Sequence, residues 1–320
     1  MRLLRPDHRL IPVWLTIVAA MIAVLLFGRI PGDERWARVL GNAAHAPALG
    51  IVTIALIPLI RTLQSSRPGV LRDYAEAIAI ALALGAIVEL TQLGTGRDAS
   101  WIDLGRNVLG SLAAAGFLAV YDPRVRELPS HARIRHAGRL IGALCTVIVI
   151  TPVLIAGAAY FLRARSFPVL VEFSSPLSTY FIGAYDAVVV ERERLPDRDA
   201  VGLHARLLGG RGWALVLWET YPDWSGYRHL ALELINTSPL PLVVRIRIRD
   251  PDHRNDRKAG YVGSIEVKPR TRKIHRIRLQ VATSASDAAV LDLAHTRAIV
   301  LSSHATNGAP DFYLTRIWLE

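Results

Sequence analysis

The chain has 320 residues, with 38 Lys and Arg against 27 Asp and Glu, a net charge of +11 and 52% hydrophobic residues. With a mean hydropathy of +0.30 and 20% charged residues, it cannot be a disordered chain, a coiled coil or, despite its basicity, an ordinary soluble nucleic-acid binder. Cys145 is the single cysteine, which leaves no intramolecular disulfide and no thiolate zinc cage.

The basic surplus is uneven. Up to residue 165 there are 18 Arg against 10 acids, a net +8, and the remainder carries 20 Lys and Arg against 17 acids, a net +3. The first part is also the apolar one. A bilayer core of about 30 Å takes roughly 20 mostly apolar residues per helix. Five segments qualify as spans: Ile11 to Phe27, His45 to Ile60, Tyr74 to Leu93, Ile102 to Tyr121 and Leu140 to Leu162. The second is the shortest and carries Pro47 and Pro58, which predicts tilt, a kink or an interfacial position. Arg2, Arg5 and Arg9 precede the first segment as in a signal peptide, but Phe27-Gly28-Arg29-Ile30 offers no small-x-small cleavage site, so an uncleaved helix is expected.

Arginines orient the expected bundle. With a cytoplasmic N-terminus, the inner segments hold Arg2, Arg5, Arg9, Arg61, Arg67, Arg72, Arg124, Arg126, Arg133, Arg135 and Arg139, and the outer ones only Arg29, Arg35, Arg38 and Arg97. Five spans then place everything after Leu162 outside the cytoplasm.

From about Ser166 the period changes to two, as half-buried antiparallel strands require. Strands are expected at Ala187 to Leu195, Tyr227 to Ile235, Leu242 to Arg249, Gly263 to Val267, Lys273 to Val281, Ala298 to Ser303 and Phe312 to Leu319. This spacing predicts a β-sandwich. The arginines of Leu242 to Arg249 alternate with Val and Ile, which puts them on one solvated face and argues against a nucleic-acid patch. The expected architecture is therefore multidomain, with a polytopic membrane domain over 1–165 and an extracytoplasmic all-β jelly-roll sandwich over 166–320.

Polar residues within the apolar half cluster in two spans and the turn between them. Glu89 and Gln92 share a helix face at i, i+3. Arg97 and Asp98 occupy the turn, and Asp103, Asn107, Gly110 and Ala114 form one stripe that begins polar and ends small. Charges in hydrocarbon cost several kcal/mol, so Glu89, Asp103 and Arg106 require partners, water or a function. Gly110 and Ala114 permit close approach of another helix. In the expected topology His45 begins the second span on the same side, next to Glu89, Gln92, Arg97, Asp98, Asp103 and Asn107. Such a cluster could bind a phosphorylated or glycosylated lipid, with Gln92, Arg97, Asp98 and Asn107 as binding groups and Arg97 on an anionic group. Glu89 or Asp103 is the candidate general base with His45 as its partner, while mutual satisfaction of polar groups in helix packing is the plain alternative.

The order Glu89-x-x-Gln92, Arg97, Asp103-x-x-x-Asn107-x-x-Gly110 resembles the signature of the VanZ-like family of small polytopic membrane proteins, named for a teicoplanin-resistance protein. The resemblance runs from about Asn42 to Tyr121. The family's Asp-Lys-x-x-His motif is here Gly41-Asn42-Ala43-Ala44-His45, which keeps the His and lacks the charged pair. What the resemblance implies is a cell-envelope membrane protein linked to glycopeptide susceptibility; it brings no settled biochemical activity.

In the second half, Trp213, Trp218, Tyr221, Trp224 and Tyr227 fall within fifteen residues. Aromatic rings beside polar groups stack on sugars, or they fill the core between sheets. Trp213 and Trp218 are expected to pack. Tyr221 and Trp224, beside Pro222, Asp223 and Gly226, are expected in a loop, and with Tyr227 they are the glycan-binding candidates. The stretches Trp224 to Asn236, Val244 to Asp250 and Phe312 to Leu319 resemble jelly-roll carbohydrate-binding modules of the galactose-binding-like superfamily. Such modules often hold structural calcium. Asp250, Asp252, Asn255 and Asp256 could supply oxygens, but Arg254, Arg257 and Lys258 argue against it. No metal or cofactor is expected.

The reading is a multi-pass inner-membrane protein whose partners are membrane lipid and a glycan or glycolipid, and not nucleic acid. Two alternatives stay open: a membrane enzyme acting on a lipid-linked glycan or phosphate at the outer leaflet, and a structural anchor.

Overall fold

Long apolar runs punctuated by polar turns fold as helices, and short alternating runs fold as strands. A computed structural model describes residues 7–28, 30–32, 34–64, 69–93, 100–186, 188–208, 212–220, 223–250, 261–279, 291–303 and 311–320. Contacts divide the chain into two units, residues 1–157 and 158–320.

The first unit is helical: α1 (Ile11–Phe27), α2 (Arg35–Leu63), α3 (Val70–Leu93), α4 (Trp101–Tyr121), α5 (Pro123–Arg126) and α6 (His131–Ser166), the last running on into the second unit. Five of these, all but α5, are long and apolar enough to cross a membrane. The second apolar segment is not the short one expected. It belongs to a helix of 29 residues that begins at Arg35 and contains Pro47 and Pro58 without interruption. Side-chain caps mark two of the helix starts: the Ser100 side chain accepts from the Ile102 N–H at the start of α4, and Asp122 accepts from the Arg124 N–H at the start of α5.

Small residues set how closely the helices pack. A Cβ on Gly110 of α4 would lie 1.9 Å from the Ala46 carbonyl oxygen of α2, and one on Gly50 would lie 3.3 Å from the Ala114 Cβ. The small stripe of α4 therefore meets α2 backbone to backbone. Gly116 of α4 and Gly138 of α6 also pack backbone to backbone, each Cβ position lying 2.6 Å from the other's carbonyl oxygen.

The second unit is an antiparallel jelly-roll sandwich with eleven strands among the described residues: β1 (Val169–Glu172), β2 (Ile182–Asp186), β3 (Val188–Arg194), β4 (Val201–Leu207), β5 (Trp213–Trp218), β6 (His229–Asn236), β7 (Leu242–Arg249), β8 (Val262–Val267), β9 (Thr271–Arg278), β10 (Ala298–Ser303) and β11 (Phe312–Leu319). One sheet has the order β3-β4-β11-β6-β9 with β1 beside β11, and the other has the order β2-β5-β10-β7-β8. Strand β7 buries Leu242, Val244, Ile246 and Ile248 and turns Val243, Arg245, Arg247 and Arg249 outward, as its alternation requires. The inner faces enclose Phe173, Phe181, Trp213, Trp224, Phe312 and Leu232 among others.

Candidate functional site

In the helical unit, the antiparallel course of α2, α3 and α4 brings the N-terminal third of α2, the end of α3 and the start of α4 together. His45, Glu89 and Asp103, one from each helix, offer ligand-type atoms that all lie within 4.8 Å of one another. His45 Nδ1 stands 3.4 Å from Glu89 Oε1, and neither atom has a hydrogen-bond partner among the described residues. Glu89 is only 6% exposed, and its other oxygen accepts from the Ser100 N–H at 3.3 Å. Asp103 pairs with Arg106 one turn on, so the charge that the sequence left without an assigned partner lies against its own helix neighbour.

The remaining members have different roles. Gln92 donates through Nε2 to the Leu25 carbonyl of α1 at 3.0 Å, so it ties α3 to α1. Asn107 sits one turn below Asp103 and is 1% exposed, and a Cβ on Gly85 would lie 2.9 Å from its Nδ2. The Asn107 amide and the Ser111 hydroxyl, one turn deeper, have no hydrogen-bond partner among the described residues. Arg97 and Asp98 lie outside the described residues. His45, Gln92 and Asp103 line a cleft of about 620 Å³ together with Arg38, Asn42 and Gly41.

The opposite end of the same three helices holds a network the sequence reading passed over. Arg61 of α2, its side chain fully covered, donates from Nε to Asp73 at 2.9 Å and from Nη2 to Asp122 at 2.6 Å. The Tyr74 hydroxyl donates to Asp122 at 3.0 Å. The only signal in the sequence was an arginine inside the last turn of an apolar helix.

In the sandwich, the aromatic candidates must be revised. Trp224 lies outside regular strands, as expected, but it is 0% exposed and packs in the core between the sheets, so it presents no face to a sugar. Tyr227 is half-buried and meets Phe167 edge to face at 5.5 Å. Tyr221 lies outside the described residues, as do Asp252, Arg254, Asn255, Asp256, Arg257 and Lys258 of the weighed calcium loop. Trp213 is buried and Trp218 is partly so.

A groove of about 610 Å³ lies instead on the outer face of the six-stranded sheet, lined by Trp318, Ile274, Glu233, Arg198, Arg272 and Arg316 among others. Its placement follows from register. Glu233 of β6 is opposite Ile274 of β9 and Arg316 of β11, and Ala231 is opposite Trp318. The small Ala231 leaves room beside the indole. Glu233 is nearly covered, and burial favours its protonated form, yet a hydrogen bond from Thr315 and pairing with Arg198 and Arg272 hold its pKa below the ordinary glutamate value. The Arg316 guanidinium lies over the Trp318 ring at 5.2 Å from its centroid. The groove thus sets an indole beside a row of fixed charged donors and acceptors, the elements that recognise a polar molecule with an apolar face.

No family profile and no curated protein matches the chain. Among solved structures it is similar to an exo-β-agarase, with 15% identity over 48% of this chain and 24% of that one and a TM-score of 0.40. It thus spans about a quarter of that protein. It is also similar to a family 11 carbohydrate-binding module from Clostridium thermocellum in complex with a β-1,3-1,4-mixed-linked tetrasaccharide, with 18% identity over 47% and 93% of the two chains and a TM-score of 0.37. A family 30 carbohydrate-binding module of a cellulosomal cellulase of Clostridium thermocellum gives 12%, 44% and 90%, with a TM-score of 0.34.

Proposed function

We propose that this chain is a membrane-anchored glycan-binding protein of the cell envelope, with the sandwich on the extracytoplasmic side. The observation that carries the reading is the groove on the six-stranded sheet, where Trp318 and the Glu233, Arg198 and Arg272 cluster share one wall. A pyranose has an apolar face and a ring of hydroxyls, and this wall offers an indole for the first and charged hydrogen-bonding groups for the second. The helices supply the anchor, and the arginine asymmetry of the sequence supports a cytoplasmic N-terminus. The VanZ-like motif order in α3 and α4 supports a place in envelope physiology touching glycopeptide susceptibility.

The test is a glycan array probed with the full chain in lipid nanodiscs. Binding to a set of envelope or plant-type polysaccharides, lost in Trp318→Ala, is the expected result. Absence of binding to every glycan, or binding unchanged in that variant, would overturn it.

A further inference from the structure

We propose that His45, Glu89 and Asp103 form a binding site for a divalent transition-metal cation, with Zn²⁺ or Mn²⁺ as its occupant. This goes beyond glycan binding, which concerns the other unit. The lone cysteine excludes a thiolate cage but has no bearing on a site of nitrogen and oxygen ligands.

Three observations carry the assignment. First, one imidazole and two carboxylates converge from three different helices, so helix packing, rather than a mobile loop, holds the donor atoms within 4.8 Å of one another. His45 Nδ1 and Glu89 Oε1 are 3.4 Å apart, which is the edge of a tetrahedron whose metal–ligand bonds are about 2.1 Å long.

Second, the donor atoms are left over by the hydrogen bonding among the described residues. Glu89 Oε1 and His45 Nδ1 are buried without a hydrogen-bond partner among the described residues, and Glu89 is 6% exposed. A buried carboxylate oxygen facing an imidazole nitrogen without a hydrogen bond is costly as it stands. A cation between them satisfies both. Arg106 offsets only one of the two carboxylate charges, so a dication does not overcharge the site.

Third, the ligand set selects the class of ion. An imidazole nitrogen disfavours Mg²⁺ and Ca²⁺, which take oxygen, and two carboxylates disfavour Cu⁺. Three protein ligands beside an open cleft of about 620 Å³ leave a coordination position free for water or an anionic oxygen, and Arg38 stands in the same wall.

The experiment is metal titration of the full chain in detergent, purified without a polyhistidine tag and stripped with chelator, using Zn²⁺, Mn²⁺ and Mg²⁺ as probes. Expected are one equivalent of Zn²⁺ or Mn²⁺ with no competition from Mg²⁺ at equal concentration, and at least tenfold weaker binding in His45→Ala and Glu89→Gln. His204→Ala, in the sandwich, leaves the affinity unchanged. Should the helical variants fail to fold, X-ray absorption of the Zn²⁺-loaded unmodified chain decides. A shell of nitrogen and oxygen with one imidazole supports the site, and a shell with no imidazole or with more than one overturns it. No stoichiometric binding, or binding undiminished in both helical variants, overturns it equally.

Discussion

Arg61 follows His45 by sixteen residues on α2, which sets the two about 24 Å apart along the helix axis. The same interval separates Asp73 from Glu89 on α3. The three central helices thus carry a polar cluster at each end, with an apolar stretch between them comparable to the hydrocarbon core of a bilayer. The clusters differ in character. The Arg61 guanidinium is closed in by two carboxylates, whereas His45 and Asp103 line an open cleft.

That closure makes Asp122 a structural residue. Its carboxylate receives Arg61, Tyr74 and the Arg124 N–H. Asp122→Ala leaves a buried guanidinium short of a partner and is expected to destabilise the helical unit by about 3–5 kcal/mol. Removal of the exposed pair in Arg72→Ala is expected to cost less than about 0.5 kcal/mol. Thermal unfolding in detergent distinguishes the two; equal effects would show that the network carries no special weight.

The contact between α2 and α4 leaves no space for a methyl group at Gly110. Gly110→Ala must push the helices apart and is expected to lower thermal stability sharply. Gly105→Ala, on the same helix with nothing within 4 Å of the new Cβ, is expected to be neutral or to stabilise by about 0.5–1 kcal/mol through helix propensity. The comparison is made by melting the two variants side by side.

Trp224 and Trp318 should respond differently. Trp224→Ala empties part of the sandwich core and is expected to cost about 3–5 kcal/mol, seen as a lower unfolding midpoint of the sandwich. Trp318→Ala, at a partly exposed position, is expected to lower that midpoint less than Trp224→Ala while weakening glycan binding at least tenfold.

The depressed pKa of Glu233 has a definite sign. A carboxylate whose folded pKa lies below its unfolded value adds stability that is complete above the unfolded value and is lost as pH falls through the folded one. The sandwich should therefore lose stability on acidification below the ordinary glutamate range. Glu233→Gln, measured by denaturant titration at a series of pH values, should be less stable at neutral pH and show a shallower acid limb.

Orientation can be read chemically because Cys145 is the only cysteine. In a Cys145→Ser background, a cysteine placed at the exposed Ser225 should react with an impermeant maleimide in intact cells once any outer barrier is opened. Labelling only after lysis would reverse the proposed topology.

Much of the architecture was legible where one period dominates. Strand β7 alternates because one face meets the core and the other meets water. Strand β5 gave no such pattern because it lies inside its sheet with both faces covered: Trp213, Leu215 and Leu217 face the sandwich core, and Val216 packs with Ala298 and Val300 on the other side. Strands β1 and β2 are four and five residues long, too short for a period to register. The start of α2 was missed because Arg35, Arg38 and Asn42 read as a polar connection, and hydropathy does not detect a helix that continues beyond its apolar part. At the sites, spacing along α3 and α4 pointed to Glu89 and Asp103. The neighbours of Trp318 come from β6 and β9, far away in sequence, so no local motif announced the groove.

The last two turns of α6 have a consequence for release of the sandwich from its proposed anchor. Ala159 belongs to the sandwich core, Tyr160 donates to Glu219 and meets Phe181 edge on, and Arg163 donates to the Trp218 carbonyl with its guanidinium 3.9 Å from the centroid of the Phe181 ring. A protease cutting at Ser166 would shed a domain in which the Phe181 ring has lost its cover from Tyr160 and Arg163 and the Trp218 carbonyl has lost the Arg163 donor. A cut at or before Ala158 would carry that plug along. Shed and anchored forms of the same domain would then differ in durability according to where the stalk is severed, and the helical stump, although it reads as membrane, serves as the sandwich's own lid.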